Sequence, residues 1–220
     1  MNNMSTQKRK YELKARAQRQ AETRRRIGAA TAELHEEVGP ARTTIAEIAR
    51  RANVQRLTVY KNFPDEYELF AACQRHFLAE NPPPDPAPAF GVEDPGERLQ
   101  VVLRELYRWY RRTERMSTNV RRDRELMPAL DSLMADTTDA QTAKLAEALA
   151  AGFAGAGRRR RPVRAAVALS LDFWTWRRLA REGLSDESAA RLMADAVRTA
   201  AAGPSGPTRR GRAAADRSPR

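Results

Sequence analysis

Residues 55–62 read Gln-Arg-Leu-Thr-Val-Tyr-Lys-Asn, and within that short span they offer most of what duplex DNA can receive. Gln55, Arg56, Thr58, Tyr60, Lys61 and Asn62 supply donors and acceptors for bases and phosphates, while Leu57 and Val59 supply apolar contacts. Chemistry of other kinds is poorly provided for. The two histidines, His35 and His76, fall on different expected helices and read as helix-surface or packing residues. There is no paired His/Cys spacing for zinc, no phosphate-binding glycine loop and no serine elbow. The sequence therefore points away from an enzyme and gives no reason to expect a metal or cofactor.

Such side chains matter only if a helix presents them, and the flanking sequence supplies one. Thr44-Ile-Ala-Glu47 is a capping box, in which the Thr hydroxyl accepts from a first-turn amide and the Glu reaches back. That helix should end near Ala52-Asn53, since Asn is second only to Gly at the left-handed position that closes a helix. A short third helix then covers about Gln55 to Asn62. Upstream, Ile27, Ala30, Leu34 and Val38 form the stripe of a first helix that can begin as early as Ser5 and stops at Gly39-Pro40. Three helices of this size, joined by short turns, send the third into a major groove while the second crosses the backbone. Ile27, Leu34, Ile45, Ile48, Val54, Val59 and Phe63 are their expected core. A fourth helix opens at Asp65-Glu-Tyr-Glu68 and carries Leu69, Cys73 and Phe77 at helical spacing.

The segments Ile27-Gly-Ala-Ala-Thr-Ala-Glu-Leu34, Thr43-Thr44-Ile-Ala-Glu-Ile-Ala49, Ala52-Asn-Val54 and Leu57-Thr-Val-Tyr-Lys-Asn-Phe63 together resemble the tetracycline-repressor-like (TetR) family of regulators. The resemblance implies an all-helical homodimer that binds an operator and releases it when a small molecule occupies the C-terminal domain. It implies DNA contact from Arg42, Thr43 and Thr44, with Thr44 on a phosphate. Gln55, Arg56, Leu57 and Thr58 would face bases, Tyr60 and Lys61 would touch the backbone, and Phe63 would pack the three helices together. Three positions depart from the family pattern. Asn53 replaces the turn Gly. Gln55 replaces a frequent Ser cap, weakening that helix start by up to about 1 kcal/mol. Glu66 stands where a Lys often grips phosphate, and a carboxylate there repels it.

Net charge is +12, unevenly spread: residues 1–26 hold nine Lys/Arg against two Glu, and residues 203–220 hold five Arg against one Asp. Basic tails suit a polyanion, because each neutralised phosphate releases counterions. Arg and Ala enrichment from a GC-rich coding sequence would produce the same tails. No stretch approaches the roughly 20 apolar residues of a membrane span. With Cys73 the single cysteine, a reducing cytoplasm is the expected setting.

The remainder reads as helix after helix, giving an all-α chain of about nine helices. The expected organisation is a basic arm (1–20), a helix-turn-helix DNA-binding domain (21–80), an extended Pro-rich linker (81–94), a ligand-binding and dimerisation domain (95–203) and a disordered basic tail (204–220). In the C-terminal half, helix five starts at Asp94-Pro95 and helix seven runs from about Pro128 to Gly152. Helix eight is apolar on two faces, one with Val163, Val167, Leu171 and Trp174, the other with Ala166, Leu169, Phe173 and Trp176. With helix nine, capped by Ser185, it is expected to pair with its copy in a dimer through Val167, Leu171, Trp174, Leu192, Met193 and Ala196. Phe90, Tyr107, Tyr110, Met116, Met127, Met134 and Phe173 are candidate pocket residues for a hydrophobic small molecule, with plain core packing as the alternative for each. The expected function is a repressor on a palindromic operator. The alternative is an architectural protein that binds DNA without regard to sequence.

Overall fold

A computed structural model describes residues 3–153 and 160–202, with side chains from Tyr11 onward. All described secondary structure is helical, and no described helix is long and apolar enough to cross a membrane. The expected tail at 204–220 lies outside the described residues.

Helix α1 (Asn3–Glu37) is one unbroken helix of 35 residues, about 50 Å long at 1.5 Å per residue. Its exposed N-terminal part runs past residue 20 without interruption, and burial begins at Ile27. From there Ile27, Ala30 and Leu34 join Ile48, Ala49, Val59, Phe63 and Leu69 in one core built by α1, α2 (Ile45–Arg51), α3 (Arg56–Asn62) and α4 (Glu66–Glu80). Gly28 allows α1 to lie close on α4, for a Cβ there would sit 3.1 Å from the Ala72 carbonyl oxygen.

The Pro-rich segment is not extended throughout. Residues 87–91 coil into a 3-10 turn that buries Ala89 in the C-terminal core, and the Trp109 indole N–H donates to the Asn81 carbonyl at 3.0 Å. Prolines lack amide donors, but this turn needs few, and the apolar packing of Ala89 in the cluster with Leu99, Val102 and Leu103 favours folding back.

Beyond it come α5 (Pro95–Arg112), α6 (Glu114–Asp123), α7 (Pro128–Met134), a π-helical turn (Ala135–Asp139), α8 (Ala140–Ala151), α9 (Arg160–Leu171), α10 (Phe173–Arg181) and α11 (Asp186–Ala202). Helix seven of the sequence reading is α7 and α8, continuous through the π turn. Helix eight is two helices, divided at Asp172. There the Asp172 carboxylate accepts from the Thr175 amide to cap α10, while Tyr107 and Tyr110 donate their hydroxyls to the Ser170 and Leu171 carbonyls at 2.7 and 2.8 Å. Both sides of the break thus satisfy their orphaned backbone groups.

The break also changes the dimer reading. Val167, Leu171 and Met193 lie inside the protomer's own core with Leu99, Leu103, Phe173 and Trp176. Trp174, Leu192 and Ala196 remain at the surface, joined by Leu169.

Candidate nucleic-acid interface and effector cavity

The candidate DNA-facing surface is assembled by caps and one turn. Thr44 Oγ1 accepts from the Glu47 amide at 3.2 Å, and Glu47 Oε2 accepts from the Thr44 amide at 3.2 Å, so the capping box closes on both sides. At the end of α2, Asn53 adopts φ 51°, the left-handed conformation, and the Val54 amide returns to the Ala49 carbonyl at 2.9 Å. This turn aims α3 away from the core. Gln55 precedes α3 with no side-chain cap, so the amides at that helix start are left for solvent or a bound phosphate.

On α3 the residues divide cleanly. Gln55, Arg56, Leu57, Tyr60 and Lys61 are exposed, Leu57 at 59% and Tyr60 at 56%, although both are large side chains that a folded core would normally take in. Thr58 is half-buried. Val59 is core, 1% exposed, and cannot give the apolar contact to DNA that its position suggested. Asn62 is also turned inward: its Nδ2 donates to the Thr58 carbonyl at 2.8 Å and its own carbonyl accepts from Arg24, so it is a structural residue rather than a contact. Arg42 and Thr44 are exposed at the start of α2, while Thr43 is half-buried with its hydroxyl on the Gly39 carbonyl.

One basic residue just beyond the arm is structural. Arg24 stacks 4.2 Å from the Phe63 ring centroid and pairs with Glu68 at 3.1 Å, tying α1 to α3 and α4. Upstream, Arg16, Arg19, Gln20 and Thr23 border an open groove whose far wall is Thr58, Lys61 and Asn62. This stretch of α1 therefore runs beside α3 and extends its positive surface. Glu66 is exposed at the start of α4, where it suits the helix dipole.

Behind this surface lies a cavity of about 90 Å³ between the two halves of the chain. α1 contributes His35; α4 contributes Phe70, Cys73 and Phe77; α5 contributes Trp109; α6 contributes Met116 and Arg121; α7 contributes Leu133 and Met134. Burial pushes the His35 pKa down to about 4, against a weak opposing pull from Asp123, so the ring is neutral near pH 7. Its Nδ1 lies 3.4 Å from Cys73 Sγ, and burial pushes that thiol up to about 12. Cys73 is therefore a packing residue with little thiolate character. Burial works to raise the Asp123 pKa as well, but Arg122 and the Ala41 amide outweigh it and the net shift is downward.

Residues 27–73 match the family model described as "Bacterial regulatory proteins, tetR family". Residues 27–73 form a tetR-family domain. No curated protein sequence matches it. Among solved structures it is similar to a TetR-like transcriptional regulator from Rhodococcus sp. RHA1, with TM-score 0.59 and 20% identity over 83% of this chain and 97% of that one. At that identity the likeness concerns the fold, and it extends across the C-terminal helices that the family model leaves out.

Of the seven residues expected in the pocket, only Met116 and Met134 line the cavity. Tyr107, Tyr110 and Phe173 form the aromatic core beside it, two of them occupied in capping α9. Phe90 is exposed beneath Arg98, and Met127 packs against Phe70 and Leu130. The residues missed lie chiefly on α4, with others on α6 and α7 and single ones on α1 and α5. Their signal was present in α4, which is apolar on two faces: Leu69 and Ala72 meet the DNA-binding core, while Phe70, Cys73 and Phe77 point elsewhere. Among the described residues no group of His, Cys, Asp and Glu is placed to hold a metal ion.

Proposed function

We propose that this TetR-family transcriptional regulator is a homodimeric repressor, acting in the bacterial cytoplasm, that binds a palindromic operator through α3 and leaves it when a small apolar molecule fills the cavity. The observation that carries this reading is the double role of α4. One face of it belongs to the core that holds α3, and the other walls the cavity. An occupant that displaces Phe70 or Phe77 must therefore act on the helix that supports the DNA-binding unit. Cores are close-packed and do not absorb such a shift locally.

On this reading residues 1–20 are an arm for phosphates, 21–80 bind DNA, 81–94 connect, and 95–203 sense and dimerise. Arg42, Thr44, Gln55, Arg56, Leu57, Thr58, Tyr60 and Lys61 make the contacts. Dimerisation uses the apolar surface left on α9, α10 and α11, where Leu169 is 56%, Leu192 48% and Trp174 42% exposed. A two-fold pairing there sets two recognition helices about 34–36 Å apart.

Footprinting on DNA flanking the gene tests the proposal, and a protected palindrome is the expected result. Equal affinity for all sequences, lost on deleting residues 1–24, would instead support the architectural reading. Sedimentation should give a dimer for the native chain and a monomer for Leu169→Glu with Leu192→Glu.

A further inference from the structure

The end of helix α6 and the turn that follows it carry three arginines in four residues, and their partners differ. Arg122 pairs with Asp123 at 2.7 Å, and Arg124 pairs with Asp131 at 2.7 Å and Asp139 at 2.8 Å. Arg121 makes no ion pair among the described residues, yet it is the one that lines the cavity. Its Nε is shielded from solvent and has no hydrogen-bond partner. The guanidinium carbon lies 5.3 Å from the Phe173 ring centroid, and the group sits beside the Tyr110 hydroxyl, which is itself engaged with the Leu171 carbonyl. Asp172 is close enough to act on the same tyrosine, but its carboxylate caps α10 through the Thr175 amide.

A guanidinium held against aromatic rings without a carboxylate is costly unless something arrives to pair with it. The rest of the wall is apolar apart from Ser117, Gln74, Thr138 and the neutral His35, and Gln74 already donates to Thr137. None of these supplies negative charge.

We infer that the effector is a small apolar carboxylic acid, bound as its anion, with the carboxylate on Arg121 and the hydrocarbon body among Phe70, Phe77, Met116, Leu133 and Met134. The inference rests on the reading of the cavity as the effector site. A forked guanidinium matches the two oxygens of a carboxylate, which an ammonium does not. The volume limits the body. At about 90 Å³ the cavity is smaller than the roughly 150 Å³ that accepts benzene. A short branched chain fits best, and a ring enters only as Met116 and Met134, the flexible members of the wall, rearrange.

Calorimetric titration of the full-length protein with two acid and amide pairs, isovalerate with isovaleramide and benzoate with benzamide, separates charge from shape. Each acid should bind at least about tenfold more tightly than its amide, as expected for a hydrogen-bonded charge. Arg121→Met should remove that difference, and Arg121→Lys should keep part of it. Amides binding as well as acids to the native protein would overturn the anionic assignment while leaving the cavity as the effector site. No binding of either acid or amide would overturn both. Because the native protein alone gives the acid-to-amide comparison, the outcome does not depend on the folding of any variant.

Discussion

Acidification from pH 7 to pH 4 should destabilise the fold specifically through His35. The ring is 3% exposed and its pKa lies near 4, against 6.5 for an ordinary histidine. The unfolded chain therefore binds the proton more tightly than the native one. Above pH 6.5 the ring is neutral in both states and nothing is lost; as pH falls from 6.5 toward 4, protonation favours the unfolded chain. The gap between 6.5 and about 4, at 1.36 kcal/mol per pKa unit, amounts to roughly 3 kcal/mol. Carboxylates with lowered pKa values, such as Asp123 and Asp186, add their own acid loss, but they do so with or without the histidine. The measurement is urea denaturation by circular dichroism at half-unit steps from pH 7 to 4.5, for the native protein and His35→Gln. The native curve should lose stability faster, by up to about 1.4 kcal/mol per pH unit in the lower part of the range. Parallel curves would refute the reasoning, because they would mean that His35 is hydrated or finds an anionic partner in the folded state.

Three further outcomes follow from the DNA-binding half and its supports. Arg56→Ala should relax discrimination at one operator position by about 1–3 kcal/mol, whereas Lys61→Ala should weaken all sequences and reduce the salt slope by about one, both read by fluorescence anisotropy across a salt series. Asn53→Gly should leave stability nearly unchanged because φ is 51° there, while Asn53→Val should cost about 1–2 kcal/mol in thermal unfolding. Tyr107→Phe leaves the Ser170 carbonyl without its 2.7 Å partner and should cost about 1–3 kcal/mol, measured by chemical denaturation.

The parts of the fold that local chemistry dictates were legible in the sequence. Thr44 and Glu47 form their reciprocal cap, Asn53 takes the left-handed turn, Asp94 with Pro95 opens α5 and Ser185 caps α11, all from neighbours within four residues. The break at Asp172 was hidden because apolar periodicity runs straight through it. What makes the break affordable is distant: two tyrosine hydroxyls arriving from α5, more than sixty residues earlier. The cavity was misplaced for a similar reason. Its walls come from both halves of the chain, and nothing local in Phe70 or Phe77 distinguishes a residue facing a gap from one facing a core. Asn62 shows the opposite limit, since a seven-residue helix has too few turns for composition to tell its outer face from its inner one.

The unbroken course of α1 makes it a lever. Its fulcrum is Gly28, where the helix lies against the Ala72 backbone of α4, the same α4 that walls the cavity. Tyr11 stands seventeen residues upstream, about 25 Å along the axis, so a tilt of about 5° at the fulcrum carries that end about 2 Å sideways. A phosphate contact tolerates far less displacement than that. Movements too small to disturb the packing around Ile27 are thus magnified where the arginines of the arm lie, and the length of the rod sets the gain.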